Sequence, residues 1–118
     1  MAGFNRSERI RRRAEYQRIY DQGTKVHGRS FTLFQLPNGL PQGRLGIAAT
    51  RKLGNAVTRN RAKRLVREIF RRNKVAPGVD IVGRDIVIVP RRELLSTSLV
   101  ALEREFRSSL ERGTRRSR

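Results

Sequence analysis

The stretch Thr58 to Asn73 (TRNRAKRLVREIFRRN) decides how the chain is read. Its apolar residues Ala62, Leu65, Val66, Ile69 and Phe70 fall at i, i+3, i+4, i+7 and i+8, the spacing of a helix with one buried face. At about 100° per residue, Asn60, Lys63, Arg64, Arg67 and Arg71 gather on the opposite arc. Asn55 and Thr58 are both candidate caps for its start. Glu68 is the only acid from Arg51 to Asn73, so ion pairs within the helix do not account for its cationic face. Positive charge this dense costs self-repulsion unless a polyanion offsets it; a merely solvated face is the plainer alternative.

The whole chain has the same bias. In 118 residues, 28 Lys plus Arg stand against 10 Asp plus Glu, a formal net charge of +18. That length suits a single domain with a modest core, and that charge exceeds what solubility needs. Nucleic acid is the commonest polyanion for such a domain, ahead of an acidic membrane surface or an acidic protein. Arginine outnumbers lysine in the helix, and its planar fork grips phosphate oxygens bidentately, as folded or helical RNA would require. Disulfides and thiolate metal sites are excluded by the absence of cysteine, and paired-imidazole chemistry by the single histidine, His27. No apolar run approaches the roughly 20 residues of a membrane span, and the start Met-Ala-Gly-Phe-Asn has no signal-peptide core. The expected location is cytoplasmic, with no membrane partner.

Outward from the central helix, Ser7 to Gly23 spaces Ile10, Ala14, Tyr16, Ile19 and Tyr20 as a short helix, with Gly23 as its stop and both tyrosines on one face. Ser30 to Leu36 (SFTLFQL) and Arg44 to Thr50 (RLGIAAT) read as strands. The turn-rich link Pro37, Asn38, Gly39, Pro41 and Gly43 between them predicts an antiparallel hairpin. Beyond the central helix lies a loop with Pro77, Gly78 and Gly83. Asp85 to Val89 (DIVIV) then reads as a buried strand ended by Pro90. Leu95, Leu99, Leu102, Phe106 and Leu110 mark a last helix, ended by Gly113. The order is helix, two or three strands, helix, strand, helix. The expected fold is a single α+β domain over residues 1–118, a small, mainly antiparallel four-stranded sheet packed with helices in the order αβββαβα, with residues 1–6 and 114–118 as disordered tails.

Lys52, Gly54, Asn55, Ala56, Val57, Arg59, Asn60, Arg61, Lys63, Arg64 and Arg67 (within KLGNAVTRNRAKRLVR) resemble the signature of the bacterial ribonuclease P protein family, with Arg59-Asn60-Arg61 as its Arg-Asn-Arg core. The early tyrosine segment, the strand before the basic helix, the DIVIV strand and the leucine-rich last helix stand in the family's order. The resemblance implies a subunit of the endoribonuclease that removes the 5′ leader from precursor tRNA. Its partners would be a catalytic RNA subunit and precursor tRNA. The RNA would supply the active site, with Mg2+ as cofactor held largely by RNA, no organic cofactor, and no catalytic or metal-ligating residue in the polypeptide. Asp21, Asp80, Asp85 and the glutamates are scattered, and most read as solvated charges, caps or weak ion pairs.

By the same resemblance, Arg51, Lys52, Asn55, Arg59, Asn60, Arg61, Lys63, Arg64, Arg67 and Arg71 face the catalytic RNA. Asn60 could serve a sugar hydroxyl or base edge, or only a local backbone bond. Arg61, toward the edge of the apolar arc, could reach sideways to RNA or brace the preceding loop. Gly54 would permit a tight turn there or only mark a loop. Tyr16, Tyr20 and Phe34 match the family's aromatic cleft for the single-stranded leader. Flat rings stack on unpaired bases of any identity, although the tyrosines could equally pack on the sheet. Phe31 and Phe34 sit at strand positions of the same region but opposite faces, so only one should line the cleft. A generic structural or ribosome-associated RNA-binding protein is the alternative that charge alone supports, and an independent metal-dependent nuclease is disfavoured by the scattered acids.

Overall fold

A computed structural model describes residues 6–74 and 79–116. After a 3-10 turn at Arg6–Glu8, the elements are α1 (Arg13–Gln22), β1 (Thr24–His27), β2 (Phe31–Pro37), β3 (Arg44–Ile47), α2 (Ala56–Asn73), β4 (Arg84–Pro90) and α3 (Leu99–Arg116). The strands form one sheet in the order β1-β2-β4-β3. β1 and β4 each run antiparallel to β2, and β3 runs parallel to β4. The expected αβββαβα order and mainly antiparallel four-stranded sheet are therefore present.

The expected hairpin between the second and third strands is not. β4 lies between them, with Leu33 opposite Ile88 on one side and Ile47 opposite Ile88 on the other. A continuous apolar run favours the slot that is buried on both faces, and Ile86, Val87 and Ile88 are all within 1% of full burial. The turn residues from Pro37 to Gly43 thus carry the chain past a strand position that β4 fills later. Because β3 and β4 are parallel neighbours, the connection must cross over, and α2 is that crossover. The hairpin that does form joins β1 to β2, with Gly28 N–H bonded to the Phe31 carbonyl and Ser30 N–H to the Glu105 carboxylate.

Alternation along the strands divides the interior into two unequal cores. Phe31, Leu33, Leu45, Ile86 and Ile88 turn to the face covered by α2 and α3, where they join Val66, Ile69, Phe70, Leu102 and Phe106. On the other face, Val87 meets only Ile10 and Ile19 as buried neighbours, edged by Tyr16, Tyr20 and Phe34. Phe31 and Phe34 do take opposite faces.

The expected first helix is shorter than its spacing suggested. Residues 9–12 are extended along the edge of β3, Ile10 N–H bonding the Leu45 carbonyl, and the helix starts where Glu15 accepts the Arg12 N–H at 3.4 Å. Gly23 ends it as expected. Residues 1–5 and 117–118, parts of the expected tails, and Pro77 and Gly78 of the expected loop lie outside the described residues.

Gly113 does not end α3, which continues to Arg116, and Leu95 belongs to a separate 3-10 turn, Arg92–Ser96. The glycine serves packing instead. A Cβ there would lie 2.0 Å from Gln35 Nε2. Gln35 is itself buried, donating to the Leu110 carbonyl at 3.0 Å and accepting from Arg84 at 2.7 Å. Thr114, expected in the tail, donates to the same carbonyl and accepts from Arg84. Helix propensity alone would make Gly113→Ala stabilising by about 1 kcal/mol. Displacing Gln35 from its buried partners costs more, so urea unfolding should show the variant roughly 1–2 kcal/mol less stable; a gain would remove Gly113 from this packing role.

Candidate nucleic-acid interface

The N-terminus of α2 settles one open choice. Asn55 is the cap: its Oδ1 accepts the Thr58 N–H at 3.0 Å. Just before it, Gly54 has φ 145°, a region side chains avoid, and a Cβ there would approach Thr58 to 3.1 Å. Arg51 and Lys52 sit on the preceding 3-10 turn, Arg51–Leu53, anchored by buried Leu53 and exposed themselves. A cap and a glycine thus present a cationic turn directly ahead of a cationic helix.

Along α2, Ala62, Val66, Ile69 and Phe70 are buried, while Asn60, Arg61 and Arg64 are exposed. Arg61 stands in solvent beside them rather than at the edge of the core. Arg59 is partly buried, its Nε enclosed without a hydrogen-bond partner. Arg71 is bound to Glu68, whose carboxyl that contact holds below its ordinary value, and Arg72 pairs with Glu103 at 2.7 Å. The far end of the helix therefore has internal counter-charges, and the unpaired cationic character concentrates toward its first turns.

Lys63 and Arg67 turn toward the smaller core. With Arg9 they border a cleft whose remaining walls are Ile10, Tyr16, Leu45 and Ile47, and no carboxylate lines it. Two of the expected RNA-facing residues and one of the expected aromatic residues are thereby brought into one recess. The helical spacing from Ser7 to Gly23 gives no sign of Arg9's place; the bridge to Leu45 at residues 9–10 carries it over the cleft.

Tyr16 is both wall and strut. Its hydroxyl accepts the Ile47 N–H at 3.2 Å and donates to the Ile10 carbonyl at 3.3 Å, and its ring occupies the space a side chain at Gly46 would need, 2.8 Å from a Cβ there. Burial raises the hydroxyl's pKa, opposed by the Ile47 bond and reinforced by nearby Glu15. Tyr20 lies 6.3 Å from Tyr16 between ring centres, and 4.9 Å edge-on from Phe34, over which Lys25 Nζ stands at 5.6 Å. The three aromatic residues expected together form a continuous strip from the cleft along the side of the sheet that α1 packs on.

Most acids are expected as solvated charges, caps or weak ion pairs, and Asp85 departs from that. Asp85 is fully buried on β4, gripped by Arg44 Nε at 2.8 Å and Nη2 at 2.7 Å and by Asn38 at 3.0 Å. Arg44 continues to Glu15 at 2.8 Å, and its own pKa is raised, chiefly by the Asp85 bond. Glu8 pairs with Lys74 at 2.8 Å and ties the first turn to the end of α2. A charge inside an apolar strand, as in DIVIV, was the available signal for a buried pair. Among the described residues, no three His, Asp or Glu side chains gather to hold a metal ion, and no helix is long and apolar enough to cross a membrane.

A small basic α+β domain with an aromatic strip beside a cationic crossover helix defines a class of RNA-binding protein. The comparisons give the family: a family model described as Ribonuclease P matches residues 4–113. The ribonuclease P protein component of Thermotoga maritima is 46% identical over 91 residues, covering 77% of this chain and 75% of that one. That of Staphylococcus carnosus is 34% identical over 109 residues, covering 92% and 91%. The solved structure of the Thermotoga maritima RNase P protein superposes with a TM-score of 0.76 at 38% identity, covering 89% of this chain and 96% of that one. The chain belongs to the ribonuclease P protein family.

Two measurements check this geometry. Tyr16→Phe should lose about 0.5–1.5 kcal/mol of stability in denaturant unfolding, because the Ile47 N–H and Ile10 carbonyl lose their shared partner; an unchanged midpoint would leave only the ring's packing. Burial pushes the Glu15 carboxyl up, but Arg44 and the Arg12 N–H outweigh it and hold the pKa below the ordinary 4.5. Its contribution to stability is complete above 4.5 and is lost as pH falls through the lower folded value. Acid titration should therefore show wild type and Glu15→Gln converging below pH 4.5, and parallel curves there would contradict the pairing.

Proposed function

We propose that the chain is the protein subunit of ribonuclease P, joining a catalytic RNA to remove the 5′ leader from precursor tRNA. The observation that carries this reading is the shared cleft. Lys63 and Arg67 reach it from the basic helix and Tyr16 from α1, so the surface suited to folded RNA is continuous with the strip suited to an unpaired strand.

The division of labour follows from chemistry. Arg51, Lys52, Asn60, Arg61 and Arg64 present exposed cationic and amide groups to phosphates and sugar edges of the RNA subunit. Lys63 and Arg67 hold phosphates where the two RNAs meet, and Arg59 contributes from the helix's partly buried flank. Asn55 acts by fixing the helix start, and Arg71 with its Glu68 partner is the weakest member of the set. Tyr20 and Phe34, with the accessible side of Tyr16, stack on leader bases regardless of identity. Mg2+, held largely by RNA phosphates and water, would when bound activate the hydrolytic water and offset phosphate charge. The polypeptide's part is binding and orientation.

Reconstitution tests the reading. The protein alone should not cleave precursor tRNA, and adding it to the cognate RNA subunit at low Mg2+ should raise leader removal; no change in binding or cleavage would reject the assignment. A similar affinity for unrelated folded RNAs would instead mark a generic RNA-binding protein. Arg64→Ala should weaken assembly with the RNA subunit and reduce the slope of log affinity against log salt by about one phosphate contact, with an unchanged slope placing Arg64 off the interface.

A further inference from the structure

Helix α1 carries Tyr16 and Tyr20 but has little apolar footing. Ile19 is its buried residue, set against Ile10 and Val87. Tyr16 is also held through its hydroxyl by Ile47 and Ile10, but Arg13 and Ala14 in the first turn of the helix are exposed, so the seating of that end falls to polar contacts.

A chain of charge supplies what the apolar contact lacks. Asp85 is held in the sheet with no exposure, so its carboxylate plane is fixed by β4 packing and by Asn38. Arg44 meets it with two nearly equal bonds, 2.8 and 2.7 Å, and uses its remaining terminal nitrogen for Glu15 at 2.8 Å. A guanidinium is rigid and planar, so fixing it at the Asp85 end fixes where its other nitrogen points. Glu15 immediately precedes Tyr16 and also accepts the Arg12 N–H at the start of the helix. None of the three lines the cationic cleft.

We propose that Asp85, Arg44 and Glu15 form a positioning relay that seats α1 against the sheet and so sets the placement of Tyr16 and Tyr20 toward an unpaired RNA strand. The proposal rests on the reading of the aromatic strip as the leader site. Its consequence is that a residue that stacks on no base controls leader recognition without governing assembly with the catalytic RNA, whose candidate contacts lie on α2 and the turn before it. The Glu15 end is partly exposed, so cutting it disturbs global stability little.

Glu15→Gln is the informative variant. It keeps an oxygen for the Arg12 N–H and removes the charge that Arg44 holds. With holoenzyme reconstituted from the cognate RNA, affinity is measured for a precursor tRNA and for the same tRNA lacking its leader, alongside protein affinity for the RNA subunit and the thermal midpoint. The precursor affinity should fall by about fivefold or more, the low end for one lost stacking contact. The leaderless tRNA and the RNA subunit should stay within about twofold, and Glu15→Lys, which repels Arg44, should deepen the selective loss. An unchanged precursor affinity, or equal losses for precursor and leaderless tRNA, overturns the relay. Tyr20→Ala run in parallel separates the two levels: selective loss there but not in Glu15→Gln rejects the relay alone, and loss in neither rejects the leader site as well.

Discussion

Strand β4 is the constraint on which the rest of the molecule depends. It has a neighbour on each side and a core on each face, and its residues alternate between them, Ile86 and Ile88 to the large core, Asp85 and Val87 to the small one. β3 lies beside it as a parallel neighbour, and a parallel neighbour demands a crossover. The crossover is α2. The basic helix is therefore laid across one face by the same strand that anchors, through Asp85, the aromatic helix on the other. The placement of the cationic helix and that of the aromatic strip are two consequences of one strand's position.

Charge is distributed with the same economy. Glu8, Glu15, Glu68, Glu103 and Asp85 are each committed to a named cation, and Glu105 to the β1–β2 turn. These contacts tie elements together: the first turn to α2, α1 to β3, α2 to α3. What they leave is an acid-free cleft and an exposed cationic first half of α2. A net charge of +18 is unfavourable for a compact chain, and the part of it gathered at this cleft and helix is charge that a polyanion would offset.

Periodicity made α2 legible because its apolar stripe reports a single packing surface. Pairing was less legible, since the Pro37 to Gly43 turn signals are equally compatible with a hairpin and with a loop that bypasses a later strand. Local spacing also placed Ile10 on a helix, when the partner that decides its conformation is Leu45, 35 positions along the chain. Gly113 misled for a related reason: the usual stop signal was here a space for Gln35. For the site, residue types and the family resemblance supplied the aromatic trio and the basic helix, and the structure brought Lys63 and Arg67 to Tyr16 and added Arg9. Such convergence is a property of strand order, which a linear pattern does not encode.

Tyr16 joins the proposed stacking role to a structural one. A ring that only stacked on bases would be free to be phenylalanine, but this hydroxyl bridges the N-terminal segment and β3, holding the backbone that carries Arg9 against the cleft. Gly46 is then required, because any side chain there meets the ring. The Tyr16 ring, the cationic rim and the strand beneath them are thus fixed to one another within the fold. Under the proposed function, a leader of arbitrary sequence would be held by such a site because ring placement, rather than base-specific hydrogen bonding, would carry the affinity.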